Sequence, residues 1–350
     1  MQSTIESIQS ERHVIFGAGL IGTYLVAAFN HTGLSAEAVV RPSLQEKLKH
    51  GVSLSDYLGH EALHIPLKFA DVNNPISVSY LWLTVKCTAV HQAAEDMRAF
   101  VSPSTVILCC QNGLGSDAII KQAFPDNLVL RVMVPFNVVE LKPGHFHRGS
   151  QGKLTIELAD EKQLDVNTLV AKVRSNLLPV ATSADMTALL WAKLQLNLGN
   201  SVNALADIPV KAMLQQRAYR RIIAMLMQEL LLVTDKLGIS LPKVTSLPAH
   251  WLPTVLRLPD FLFKRIANKM LAIDPNVRTS MWWDVSQGKK TEIDYLNGAI
   301  VTQAQHLGLK SQVNQRIIQL IKAQRSANHV GRSGPAIEAK ELLNLVCQQP

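Results

Sequence analysis

The stretch HVIFGAGLIGTYLVAAFNHTG, His13 to Gly33, decides how the first half of this chain folds. HVIF is a short apolar run that reads as a buried strand. It enters a glycine turn, and IGTYLVAAFNHTG then reads as a helix closed by Gly33. Within it, Gly17-Ala18-Gly19-Leu20-Ile21-Gly22 fits GxGxxG. Alone that pattern is weak, but a preceding strand and a following helix are the context it requires. Gly17 permits the tight turn, Gly19 lets the backbone approach a pyrophosphate, and Gly22 lets the helix pack close to the strand. The helix N-terminus favours the anion. The six residues from Gly17 to Gly22 are therefore candidates for binding a dinucleotide.

Outward from this unit the same alternation continues. EAVVR, SYLWLTVK and TVILCCQNG read as strands between helical patterns, and LVLRVMVPFNVVEL and KLTIEL as extended segments separated by the turn KPGHFHRG. Strand–helix alternation predicts a mostly parallel, doubly wound sheet. From about residue 164 the strand pattern ends. Residues 165–178, 185–205, 210–237, 253–271, 292–306 and 313–326 all carry helical periodicity. The organisation predicted is an α/β domain over residues 1–175, an all-α domain over 176–326, and a loosely attached tail over 327–350.

Composition narrows the class. The chain has 350 residues, 47% hydrophobic and 18% charged, with net charge +8. That describes a folded protein large enough for two cores. The positive charge suits an anionic partner, but it is scattered over amphipathic patterns with no aromatic-interleaved basic stripe, which argues against nucleic acid. Cys87, Cys109, Cys110 and Cys347 lack metal-ligand spacing and read as free thiols in a reducing cytoplasm. The first residues lack the apolar core of a secretory signal. IIAMLMQELLLV, the most apolar long run, is interrupted by Gln228 and Glu229 and is too short to span a bilayer.

Polar residues at strand ends carry the chemistry. An acidic residue after the second strand would bond a ribose 2′-hydroxyl and favour NAD. Here Arg41 stands there, with Ser43 near it, which favours the 2′-phosphate of NADP. SYLWLTVK ends in Lys86, and TVILCCQNG runs into Asn112. Ligands of open α/β sheets sit at the carboxyl ends of strands, so both are candidate contacts for cofactor or substrate. For Asn112 an Asn-Gly turn is an equally good reading.

LWAKLQLNLGNSVNAL, Leu190 to Leu205, is a helix that carries a lysine and amides where Glu, Lys and Arg normally meet water. Lys193, Asn197, Asn200 and Ser201 fall at i, i+4, i+7 and i+8, on one face. A polar pocket facing another domain explains them better than an amide network between helices does. Further on, TSMWWDVSQGKKTEIDYLNG holds Ser280 and Glu292. Glu292 reads either as an acid at a helix N-terminus or as a partner of Lys193. The pair His145 and His147, in the turn after Pro143-Gly144, has no further ligands for a metal.

Together these residues resemble the ketopantoate reductase family (2-dehydropantoate 2-reductases). The resemblance covers most of residues 13–325 and rests on GAGLIG, Lys86, Gln111-Asn112-Gly113, WAKLQLN, and SMWWD followed by TEIDYLNG. It implies an N-terminal Rossmann-like domain, an all-α C-terminal domain and a cleft between them. It also implies NADPH as cofactor and a small 2-oxo acid as substrate, with Lys193 as general acid and Glu292 orienting it. Asn112, Asn197, Ser201 and Ser280 would bind substrate. Arg41, Lys86, Asn112 and Glu292 would join the glycine turn in holding cofactor. A homodimer is compatible with this reading; a membrane or nucleic-acid partner is not. Ser201 stands where the family has a second asparagine. That leaves open reduction of another 2-oxo or 3-oxo acid, whereas Lys193 and Glu292 argue against a non-catalytic NADP sensor.

Overall fold

The computed structural model describes residues 11–266, 277–327 and 336–348. The helix expected over 253–271 and the tail expected over 327–350 lie partly outside these residues. The chain forms two compact units. The first comprises Met1–Gln111 and Ser116–Met186, the second Asn112–Gly115 and Thr187–Pro350.

The first unit is built on an eight-stranded sheet. Its strands are β1 (His13–Phe16), β2 (Ala36–Val39), β5 (Lys68–Phe69), β6 (Tyr80–Leu83), β7 (Val106–Cys109), β8 (Val129–Met133), β11 (Leu154–Glu157) and β12 (Val180–Ser183). They lie in the order β12-β11-β8-β7-β6-β1-β2-β5. All pairs are parallel except β11 with β8. The helices of this unit are α1 (Leu20–His31), α2 (Pro42–Leu48), α3 (Val90–Asp96), α4 (Ser116–Ala123) and α5 (Val166–Val173). Side chains alternate across a strand, and both faces of this sheet are covered. Val14, Leu81, Leu83 and Ile107 enter one core, whereas Ile15, Trp82 and Leu108 enter the other. Burial on both faces is why these strands read as unbroken apolar runs.

A second sheet has the order β4-β3-β10-β9, from β3 (Val52–Asp56), β4 (Glu61–Ile65), β9 (Val138–Lys142) and β10 (His145–Arg148). One expectation changes here. His145 and His147 are not in a turn but in β10, which pairs with β3 and β9. Their ring nitrogens meet the Ser55 hydroxyl at 2.7 and 2.9 Å. Beneath them Arg148 donates to Asp56 at 2.7 Å in an almost fully buried ion pair.

The strand pattern does not end at residue 164. Val180–Ser183 adds a parallel edge to β11, so the first unit runs to Met186 rather than to about residue 175. The intervening 165–178 segment is correspondingly not one helix: α5 stops at Val173.

The second unit is helical: α6 (Met186–Asn197), α7 (Gly199–Ala206), α8 (Val210–Gln215), α9 (Arg217–Lys236), α10 (Leu252–Arg257), α11 (Asp260–Ile266), α12 (Ser280–Ser286), α13 (Asn297–His306), α14 (Gln312–Ala327) and α15 (Ala339–Cys347). They share one apolar core, formed by residues such as Trp191, Leu194, Leu198, Val202, Ile222, Leu226, Ile300 and Ile317. The expected 210–237 helix is two, because Gln216 is extended between α8 and α9. The last helix is not loosely attached. Ala339, Leu342 and Val346 enter the core, and the Tyr219 hydroxyl donates to the Ile337 carbonyl at 2.7 Å. Arg220, buried completely, donates to the carbonyls of Leu214, Leu256 and Leu258 and to Asp260, and so ties α9 to α10 and α11.

Candidate functional site

The glycine turn has the geometry that its sequence requires. Gly17 has φ +95°, and a Cβ there would stand 2.3 Å from Val85 Cγ1 and 2.8 Å from the Val85 nitrogen. At Gly22 a Cβ would stand 2.6 Å from Thr84 Oγ1, whose hydroxyl donates to the Gly17 carbonyl at 2.9 Å. Those two glycines are steric necessities of the strand–helix junction. Gly19 differs: nothing lies within 4 Å of a Cβ placed there. Gly19 is also the N-cap of α1, with no side-chain cap and no acid in the first turn. An open backbone surface at an uncapped helix N-terminus suits a phosphate, so these residues fit a dinucleotide pyrophosphate. Ala18 is buried beneath the turn, whereas Leu20 is exposed and Ile21 half-buried.

The neighbouring strand ends lie on the same unit. Arg41 is exposed and occupies the N-cap position of α2, just after β2, without a side-chain capping bond. Lys86 is exposed, with extended backbone, just past the end of β6. The sequence pattern alone does not mark Gln111 as a site residue. It is buried at the end of β7, and its amide donates to the carbonyls of Leu83 (2.7 Å) and Val85 (3.2 Å). It thereby holds the backbone leading to Lys86. Its position next to Asn112 at a strand end was the available signal.

The second unit gathers the remaining candidates. Lys193 Nζ donates to Asn112 Oδ1 at 2.6 Å. The loop carrying Asn112 is docked by its backbone. The Leu114 N–H donates to the Tyr295 carbonyl at 3.1 Å, and a Cβ on Gly113 (φ +83°) would stand 2.3 Å from that same oxygen. Here the Asn-Gly pair serves both as a turn and as the support of a lysine partner. Tyr295 in turn donates its N–H to the Glu292 carbonyl. Glu292 is buried, but it does not open a helix. Tight backbone turns run from Glu292 to Leu296, and α13 begins only at Asn297. The helix-dipole reading of Glu292 therefore falls.

The amide-rich helix divides into two kinds of residue. It breaks at Leu198, between α6 and α7. Lys193, Asn197 and Asn200 are half-buried and face partly outward. Ser201 is fully buried, and its hydroxyl donates to the Leu198 carbonyl at 3.0 Å. It is occupied with its own helix and leaves the set of substrate contacts expected from the sequence. Asn203 is also fully buried and binds the segment ahead of α12. Ser280, the first residue of α12, is exposed. The partly outward polar face and the buried bonds to neighbouring segments therefore use different residues of the stretch.

Residues 13–161 match the family model described as Ketopantoate reductase PanE/ApbA, and residues 185–325 match its C-terminal counterpart, Ketopantoate reductase PanE/ApbA C terminal. The chain belongs to the ketopantoate reductase family. Family relatives include the 2-dehydropantoate 2-reductase of Pyrobaculum aerophilum, 26% identical over 319 residues, covering 91% of this chain and 99% of that protein. That of Aquifex aeolicus is 23% identical over 323 residues, with 91% and 98% covered. Among solved structures, the family ketopantoate reductase from Ralstonia eutropha JMP134 aligns with TM-score 0.75 and 24% identity, over 90% of this chain and 98% of that one. D-mandelate dehydrogenase in ternary complex with NADH and anilino(oxo)acetate aligns with TM-score 0.73 and 19% identity, over 90% and 99%. At these identities the structural likeness speaks to fold. No helix among the described residues is long and apolar enough to cross a membrane.

Proposed function

We propose that this chain is an NADPH-dependent 2-dehydropantoate 2-reductase. The observation that carries the reading is the bond from Lys193 Nζ to Asn112 Oδ1, an ammonium held on a half-buried helix face in a chain that also has an open glycine turn. When bound, NADPH supplies the hydride that reaches C2 of the oxo acid. Gly17 to Gly22 would hold its pyrophosphate, Arg41 its 2′-phosphate, and Lys86 a further anionic group.

Lys193 acts on the ketone oxygen. As hydride reaches C2, the carbonyl electron pair moves onto oxygen, and an ammonium there stabilises the charge and donates the proton. The product is the 2-hydroxy acid. Asn112 orients the lysine, and Glu292, buried in the same unit, supports its positive charge. Asn197 and Ser280 hold the substrate, Ser280 by its carboxylate. Such positioning contributes several kcal/mol, roughly 7–11 at the extreme. A cytoplasmic setting goes with this reading, since Cys87, Cys109 and Cys110 are buried free thiols. A homodimer goes with it too. Phe261 and Trp251 are exposed on the helical unit, and a fold neighbour from Staphylococcus aureus, 16% identical, is described as a dimeric ketopantoate reductase.

One observation favours a second reading, reduction of a different 2-oxo acid. Ser201 stands in place of the family's second asparagine, is fully buried and spends its hydroxyl on the Leu198 carbonyl. The test is NADPH oxidation against a panel of 2-oxo acids that includes ketopantoate. Preferred turnover of ketopantoate supports the first reading. Turnover of other acids alone supports the second. Tight NADPH binding without turnover of any acid overturns both.

A further inference from the structure

Asn203 sits on the face of α7 that meets the segment leading into α12. Its Oδ1 accepts from the Thr279 N–H and from the Thr279 hydroxyl, both at 3.1 Å. Its Nδ2 donates to the Ile208 carbonyl at 2.7 Å. One buried amide thus uses its acceptor on one segment and a donor on another, which neither a carboxylate nor an apolar isostere can do. One turn later Asp207, in the left-handed region at φ +48°, accepts from Arg278 (3.1 Å) and from the Trp282 indole (2.6 Å). The Val210 N–H donates to the Val277 carbonyl at 2.9 Å. Thr279 Oγ1 in turn accepts from the Trp282 N–H and so caps α12.

These bonds clamp residues 277–282 on both sides of Ser280, whose own side chain is exposed. We infer that Asn203 is a positioning residue for substrate: through Thr279 it sets where the Ser280 hydroxyl stands. The inference rests on the proposed reading of Ser280 as the carboxylate contact. Asn203 itself touches no substrate, being fully buried.

The experiment is a double-substitution cycle read by steady-state kinetics with ketopantoate and by NADPH binding. Asn203→Leu is expected to raise KM for the oxo acid roughly three- to tenfold, the effect of one lost hydrogen-bonded contact, with NADPH affinity unmoved. In the Ser280→Ala background the same substitution is expected to add less than about twofold, because coupled residues are not additive. Thr279→Val should mimic Asn203→Leu, and Thr279→Ser should restore the parent KM. If Asn203→Leu does not fold, the two Thr279 variants decide. Equal effects in the parent and Ser280→Ala backgrounds overturn the inference alone. An unchanged KM in Ser280→Ala overturns the reading of Ser280 and the inference with it. Loss of NADPH affinity in step with the rise in KM marks Asn203 as merely structural.

Discussion

Lys193 Nζ and Asn112 Oδ1 lie 2.6 Å apart, although 81 residues separate them in sequence. The contact depends on a loop held against the Tyr295 carbonyl, where Gly113 admits no side chain and Leu114 donates its N–H. Lys193→Ala is expected to lower kcat by roughly 10²–10⁴-fold while NADPH still binds, as measured by cofactor fluorescence. Near-parent turnover would remove Lys193 from the chemistry.

The three glycines of the turn separate by function. Gly17→Ala places a Cβ on Val85 at positive φ and should cost about 1–3 kcal/mol from backbone strain alone, seen as a lower urea midpoint. Gly19→Val meets open space in the protein. It should leave the midpoint nearly unchanged and weaken NADPH binding by obstructing the pyrophosphate. Equal loss of stability in both variants would count against an anion site at Gly19.

Arg41 is exposed at the N-cap of α2, where a guanidinium is free to reach a 2′-phosphate. Arg41→Ala should lower kcat/KM with NADPH about tenfold or more, the scale of a charge-assisted hydrogen bond. With NADH, which lacks that phosphate, kcat/KM should stay within about twofold of the parent by the same argument. Parallel losses with both cofactors would refute the assignment.

Stability should fall in mild acid because of His13. Burial lowers its pKa to about 4, and Nδ1 already accepts from the Trp82 indole at 3.2 Å. The unfolded chain binds the proton at about 6.5. Above that value neither state is protonated and the full stability is present. Between about 6.5 and 4 only the unfolded chain gains the proton, so stability declines with falling pH by about 3 kcal/mol in all. Below the folded value the loss levels off. His13→Leu should flatten this part of a urea-denaturation pH profile; an unchanged slope would assign the loss to other groups.

The apolar strands and the glycine motif were legible because their causes are local. A strand covered on both faces must be apolar throughout, as HVIF and YLWL are, and a tight turn needs glycine wherever it stands. The four-stranded sheet was not legible. VSLSD and HFHR carry serines, histidines and a buried Asp56–Arg148 pair, polar residues that meet only when strands distant in sequence come together. VATS, Val180–Ser183, was missed for the same reason: its partner β11 makes it a strand.

For the candidate site, the sequence by itself determined which residue types are present: a lysine and amides at helical spacing, a strand-end cation, a serine ahead of two tryptophans. Only tertiary structure decided which neighbours they meet. Ser201 turned inward to its own helix and Asn203 inward to Thr279, while Lys193 met Asn112 from a loop 81 residues away. The physical reason is that helical spacing sets which residues share a face. Which face is buried, and against what, depends on neighbours brought there by the rest of the chain.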